Sequence, residues 1–353
     1  MNRLKYVLKP SIYFCVKKTS IKDIAAELHL SKATISWILS GQGEAKGFSK
    51  ATIKRVKEYA ESVNYRPNLL ARSLSKGASN TIGLIIPFIN DTFYAQLTQA
   101  IEQEAARNNF VLIVCTSEGN GDKENELIKI LKSKQVDGII IAPTQHSSKG
   151  VQQLIQEKYP FVLVDRYFPE LQTNAVIVDN ENCSLNITQF LIRKGCKKIA
   201  FLTSDTQLYV MQERQKGYLE ALKQGGIQSA DYSLIIEIDR NNYKTDTPQK
   251  MEQLFKQHPD VDGFFFATHY LAMEAIRYFI NQNIEYKTSF HMGCFHETTA
   301  LDVLAPTMCI SRMQLDKIGV TATNLILENI RLGQDFICRK EIIENEFLPS
   351  YNA

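Results

Sequence analysis

Tryptophan is nearly absent: Trp37 stands alone among 353 residues. No apolar run approaches the ~18–20 residues that a membrane-crossing helix requires, so a membrane partner is not expected. The opening stretch is basic, and its uncharged run "PSIYFCV" is too short for an export signal and has no small-residue cleavage site after it. The seven cysteines are odd in number and contain no C-x-x-C pair. That pattern excludes a disulfide framework and fits reduced thiols in a cytoplasmic protein.

Signatures of catalysis are equally scarce. There is no nucleophile elbow, and "GQGEAKG" follows a helical pattern and misses G-x-G-x-x-G spacing by one. In "HMGCFH", a strand points His291 and Cys294 to opposite faces, which disfavours a metal site with His296. The chain is therefore expected to be a non-enzyme with no cofactor and no metal.

What is present is a charge asymmetry. Residues 1–80 carry 15 Lys and Arg against 5 Asp and Glu, or +10, while the remainder carries 26 against 33, or −7. A small basic head on an acidic body suits a protein whose head alone meets a polyanion.

Residues 20–75 read as four short helices. Ser20 caps the first, with Asp23 completing a capping box and Ile21, Ile24, Ala25 and Leu28 on one face. His29 takes a left-handed turn position. Ser31 opens the second helix, with Ile35, Ile38 and Leu39 inward. Ser49 caps the third, with Ile53, Val56, Ala60 and Val63 inward. The first two helices make a helix-turn-helix, and Lys32, Ala33, Ser36 and Trp37 fall on the face away from its core, where a major groove would lie. A large exposed aromatic there has two readings: a DNA contact, or packing on the 41–48 loop beside Phe48.

From residue 81 short apolar runs alternate with amphipathic helices. One series runs through 81–88, 110–115, 137–143 and 161–165, and a second through 175–179, 198–204, 233–238, 262–268 and 289–293. Such runs predict parallel strands covered on both faces. The expected body is an α/β core of two doubly wound parallel-sheet subdomains, periplasmic-binding-protein-like, with a ligand cleft at the strand carboxyl ends.

The segments "SIKDIAAEL", "SKATIS", "YRPNLLARSLSKG", "TIGLIIPFINDTFY", "VDGIIIAP", "FVLVDR" and "RQKGYLEAL" resemble, in order and spacing, the lactose-repressor and purine-repressor family over roughly residues 19–335. The resemblance implies a basic arm at 1–18, an all-α helix-turn-helix DNA-binding domain at 19–66 and a hinge helix and linker at 67–80. It also implies an effector-binding and dimerisation domain at 81–353, with the chain crossing between subdomains near 165–175 and 295–312. It implies that Lys32 and Ala33 approach base edges, that Thr34, Ser36 and Ser40 meet phosphates, and that Asn68, Ala71 and Arg72 belong to the hinge. Leu74 would be a minor-groove wedge. At Trp37 the family pattern has arginine, so this chain departs from it.

In the body the resemblance implies an effector pocket lined by Phe93, Tyr94, Asp165, Arg214, Thr268, His269, Phe295 and His296. Thr268 and His269 stand where the family has Asn-Asp, and Phe295 and His296 replace an acidic pair. Loss of that acid, with Arg214 retained, predicts a pocket that leans toward anionic or aromatic-bearing ligands.

The implied function is a homodimeric transcriptional regulator, a repressor, that binds double-stranded operator DNA and responds to a sugar or sugar derivative. Three alternatives share its features: a regulator that answers to a protein partner, a soluble ligand receptor, and an enzyme on the same scaffold.

Overall fold

The computed structural model describes residues 19–65, 78–144, 148–227, 234–335 and 337–350. The chain divides into two compact units, Met1–Ser79 and Asn80–Ala353.

In the first unit, α1 (Ile21–Glu27), α2 (Lys32–Leu39) and α3 (Lys50–Ser62) each begin at a serine cap. Ser20 and Asp23 form a reciprocal box: the Ser20 hydroxyl accepts from the Asp23 amide at 3.3 Å, and the Asp23 carboxylate accepts from the Ser20 amide at 2.8 Å. Each such cap is worth about 1 kcal/mol by satisfying amides the helix leaves open. His29 turns the chain between α1 and α2 at φ 53°. The apolar faces meet in a small core of Ile24, Ala25, Ile35, Ile38, Val56 and Ala60. Ile21, Leu28, Leu39 and Ile53 pack at its margin. The expected fourth helix, with Asn68, Ala71, Arg72 and Leu74, lies outside the described residues, as does the 1–18 arm.

The second unit holds two six-stranded sheets. The first comprises β1 (Thr81–Ile86), β2 (Val111–Thr116), β3 (Gly138–Ile141), β4 (Phe161–Val164), β5 (Ala175–Ile177) and β11 (Lys340–Ile342), in the order β11-β5-β4-β3-β1-β2, all parallel. The second comprises β6 (Ile199–Thr203), β7 (Ile235–Glu237), β8 (Gly263–Phe266), β9 (His291–Phe295), β10 (Cys309–Arg312) and β12 (Glu346–Leu348), in the order β12-β10-β9-β8-β6-β7. Among the described residues only β12 is antiparallel to its neighbour.

Intervening helices cover the sheets: α4 (Thr92–Arg107), α5 (Gly121–Ser133), α6 (Ser148–Gln156), α7 (Asn180–Arg193), α8 (Tyr209–Gln224), α9 (Tyr243–Gln257), α10 (His269–Asn281), α11 (Tyr286–Ser289), α12 (Thr299–Leu304) and α13 (Leu315–Leu332). One apolar cluster runs continuously through both halves, from Ile82 and Leu97 through Ile326 to Phe201 and Tyr218. None of the described helices is long and apolar enough to cross a membrane.

Two expectations are corrected. The strand at 175–179 belongs to the first sheet, not to the second series: Ala175 pairs with Leu163 of β4. The first crossing therefore follows β5 rather than falling at 165–175. The second lies between β10 and α13, just beyond the expected 295–312 region, and a third joins β11 to β12. Apolar composition marks a strand as buried but says nothing of which of two sheets receives it. The second correction is β2, which is not covered on both faces. It is an edge strand, and Val111 is 64% exposed.

Candidate functional site: a cleft between two subdomains

Parallel sheets bring all their strand ends to one side, where loops and helix amino ends converge. Here the ends of β1 and β4 face those of β6, β8 and β9 across a cleft, and all eight expected pocket residues line one cavity there, of about 60 Å³. Phe93 and Tyr94 form the first turn of α4, and Asp165 follows β4. Arg214 projects from α8, Thr268 and His269 open α10, Phe295 ends β9 and His296 follows it. The expected residues thus come from both subdomains and meet.

Three of the lining residues hold left-handed backbone although none is glycine: Asp165 at φ 65°, Asp205 at φ 50° and His296 at φ 74°. Each directly follows, or lies two residues beyond, a strand that ends at the cleft. Such conformations cost about 1–3 kcal/mol each and gather where a site over-determines the backbone.

The polar contacts are specific. The Tyr94 hydroxyl donates to Asp165 at 2.8 Å, and burial pushes that phenol well above its ordinary pKa. Arg166 lies 3.5 Å from the same carboxylate. Asp91 accepts from the Phe93 amide at 3.0 Å, and lies 3.4 Å from His269 and 3.7 Å from Arg240. Burial opposes ionisation of Asp91, yet His269, the Phe93 amide and Arg240 together hold its pKa below the usual value. The Arg240 guanidinium lies 4.7 Å from the centre of the Phe88 ring and 4.0 Å from that of Tyr270.

Arg214 is already engaged. Its Nε donates to Asn180 at 2.8 Å and its Nη1 to the Ala267 carbonyl at 2.7 Å, while its guanidinium lies 3.7 Å over the Phe295 ring. Burial lowers its pKa.

His296 is the unusual member. It is 4% exposed, packs edge-on against Phe93 at 5.0 Å and His269 at 5.5 Å, and neither ring nitrogen has a hydrogen-bond partner among the described residues. Burial, reinforced by His269, pushes its pKa down to about 3, so the ring is neutral at physiological pH. A neutral imidazole offers one donor and one acceptor. Buried polar atoms of this kind are rare unless something occupies them.

Sequence reasoning missed Asp91, Arg166, Asp205 and Arg240, which also line the cavity. Asp91 and Arg166 sit inside the quoted segments "NDTFY" and "FVLVDR", beside residues that were chosen. Asp205 and Arg240 lie in loops after β6 and β7, which carry no periodic signal. Their presence changes the charge count expected for this cavity from the sequence alone. Three carboxylates, Asp91, Asp165 and Asp205, face three guanidiniums, Arg166, Arg214 and Arg240, so the cavity is balanced. Among the described residues no group of three His, Cys, Asp or Glu side chains could hold a metal ion.

In the first unit, Lys32, Ala33, Ser36 and Trp37 are all exposed on one face of α2. Trp37 also packs on the 41–48 loop: its ring stacks on Phe48 at 6.2 Å, and the Lys46 ammonium lies 5.2 Å over it. The loop-packing geometry is therefore present, and it leaves the ring 38% exposed. Thr34 shares a 2.9 Å hydrogen bond with the Ser31 hydroxyl, and the Ser40 hydroxyl donates to the Trp37 carbonyl at 3.1 Å.

Two largely parallel sheets joined by three chain crossings, with a polar cleft between them, make a fold of the periplasmic-binding type. Residues 79–344 match the family described as periplasmic binding proteins and sugar binding domain of LacI family. Catabolite control protein A of Priestia megaterium is 30% identical over 309 residues, covering 87% of this chain and 91% of that protein. The lac repressor dimer bound to operator and the anti-inducer ONPF superposes with a TM-score of 0.80 at 17% identity, over 94% of this chain and 98% of that one. The regulator CelR in complex with cellobiose superposes with a TM-score of 0.69 at 22% identity, over 94% and 98%. The chain belongs to the LacI family and is a transcriptional regulator.

Proposed function

We propose that this regulator is a cytoplasmic, homodimeric repressor that binds operator DNA through residues 19–66 and the 67–80 hinge, and that a sugar-class effector in the cleft controls it. In the head, α1, the His29 turn and α2 form the helix-turn-helix. Lys32, Ala33, Ser36 and Trp37 enter the major groove, and Thr34 and Ser40 lie near phosphates once their present hydroxyl partners are exchanged. Asn68, Ala71, Arg72 and Leu74 act in the hinge. The basic head supplies the sequence-independent part of DNA affinity. The protein acts as a regulator and not as an enzyme.

The observation that carries the effector reading is His296, buried in a cleft built by both subdomains, with neither nitrogen partnered among the described residues. Hydroxyl groups of a neutral sugar both donate and accept, which matches a neutral imidazole. A charge-balanced wall of three carboxylates and three guanidiniums likewise suits a polyhydroxylated ligand. Occupancy favours one closure angle over the other and so shifts the affinity of the two heads for DNA.

The test is operator binding by the full chain, with and without a panel of sugars, in wild type and in His296→Phe. The expected result is that one sugar changes wild-type DNA affinity at least tenfold and leaves the variant unchanged. A variant that responds like wild type would remove His296 from the effector site.

A further inference from the structure

In the first unit, Ala33, Ser36 and Trp37 are exposed on α2. Residues three and four apart are neighbours on a helix surface, so the three form one patch. Alanine and serine are short, which leaves the indole as its dominant group. The Trp37 ring is held in place by the loop that follows α2. Its carbonyl accepts from the Gln42 amide at 2.8 Å and from the Ser40 hydroxyl at 3.1 Å, which ties the loop to the helix end. The loop then brings Phe48 onto the ring, with the two planes 28° apart, and Phe48 itself packs at the margin of the small core.

We infer that Trp37 selects a thymine in the operator, through the thymine methyl group and O4 oxygen. The inference rests on the reading of the head given above and deepens it. It follows from what an indole offers: one N–H donor, no acceptor and a broad apolar surface. In the major groove guanine presents two acceptors, and adenine an acceptor beside a donor. Cytosine presents a donor, which an indole has no atom to accept. Thymine presents a single acceptor beside an apolar methyl group, and that pair complements the indole in kind and number.

The contacts with the loop favour this role. An aromatic side chain has only two rotatable bonds, and stacking on Phe48 already restricts them, so little freedom is left to lose on binding. The exposed part of the ring is therefore presented ready for an apolar partner. The exposed Lys46 keeps a positive charge beside the ring, which draws the DNA backbone toward the same spot. An arginine at position 37 would instead satisfy both guanine acceptors at once.

The experiment enriches duplexes from a random-sequence library with the full chain as wild type, Trp37→Ala and Trp37→Arg, after a thermal melt checks that each is folded. The wild-type site is then titrated by fluorescence anisotropy with its thymines replaced one at a time by deoxyuridine. That change keeps O4 and the base pair and removes only the methyl group. The expected result is a thymine in each half of the site where deoxyuridine weakens wild-type binding about fourfold, the worth of one buried methyl group, and leaves Trp37→Ala unchanged. Trp37→Arg should enrich guanine at that position. If no thymine is sensitive in wild type, if Trp37→Ala is equally sensitive, or if Trp37→Arg enriches the same base, the thymine reading is overturned and the head assignment stands. If wild type enriches no sequence at all, the head assignment falls as well.

Discussion

The His269 imidazole lies 3.4 Å from the Asp91 carboxylate, and the two residues belong to opposite subdomains. Asp91 also reaches Arg240 of the second subdomain, so one carboxylate fastens the cleft from two sides. Asp91→Asn retains a side-chain oxygen to cap α4 but removes the charge. It should cost about 1–3 kcal/mol of stability by leaving the Arg240 guanidinium short of an anion and His269 with a weaker partner. Chemical denaturation measures this, and an unchanged midpoint with an unchanged slope would show that the latch contributes nothing.

His296 predicts a pH dependence. Its folded pKa is about 3, below the ordinary histidine value, so between these two values the unfolded chain binds the extra proton. Stability contributed by the neutral ring is then full above about pH 6.5 and is lost as pH falls toward 3, by at most about 1.4 kcal/mol per pH unit. Asparagine tolerates the positive φ at this position, so His296→Asn should fold. Between pH 7 and pH 5 the wild type should lose about 2 kcal/mol more than the variant. Parallel stability curves for the two proteins would contradict this assignment.

Arg214 is structural as well as a pocket residue. Arg214→Ala removes its bonds to Asn180 and the Ala267 carbonyl and its stacking on Phe295. We expect it to abolish the effector response, spare operator binding, and lower stability by about 2–4 kcal/mol. A variant as stable as wild type would mean that these buried bonds are easily replaced.

Gly217 permits the close crossing of α7 and α8. A methyl group built there would sit 2.0 Å from the Glu181 carbonyl oxygen, a backbone atom that cannot rotate away. Gly217→Ala should destabilise the body by roughly 3 kcal/mol, the upper range for overpacking. Recovery of a soluble variant with a wild-type melting temperature would show that the two helices slide apart cheaply.

The charge asymmetry makes a prediction for DNA. A fragment of residues 81–353 should lose operator binding, and the full chain should lose affinity steeply with salt, by about 0.9 in the logarithmic slope per phosphate neutralised. Leu74→Ala should weaken specific binding while leaving non-specific binding largely intact, as expected of a wedge between base steps. Filter binding on operator and random duplexes reads both effects, and operator affinity retained by the fragment would sink the assignment of the head.

Much of this was legible in the sequence. Serine caps and apolar periodicity placed α1 to α3, and His29 at the turn was readable because few residues tolerate its backbone. Nine strands were visible as short apolar runs. Strands β10, β11 and β12 were not, since "CISR", "KEI" and "EFL" are too short and too polar to stand out from loops. Seven of the eight pocket residues occupy strand ends and helix starts, which sequence pattern can locate, and the eighth, Arg214 in the second turn of α8, was legible through the segment "RQKGYLEAL". Asp205 and Arg240 escaped notice because their loops reach the cleft only through the tertiary fold. The balance of charge in the pocket was misjudged for the same reason.

The last two strands have a consequence for how this chain is made. β11 completes the edge of the first sheet beside β5, and β12 the edge of the second beside β10. They are separated by only three residues, 343 to 345. While the ribosome is still adding residue 340, both sheets therefore lack their final strand, and β5 and β10 present open backbone edges. Completion of the first subdomain before the second, in order of synthesis, is closed to this topology. Both sheets gain their outermost strand from the one short segment 340–348, and until it is made two unpaired edges stand exposed to mis-pairing with other nascent chains.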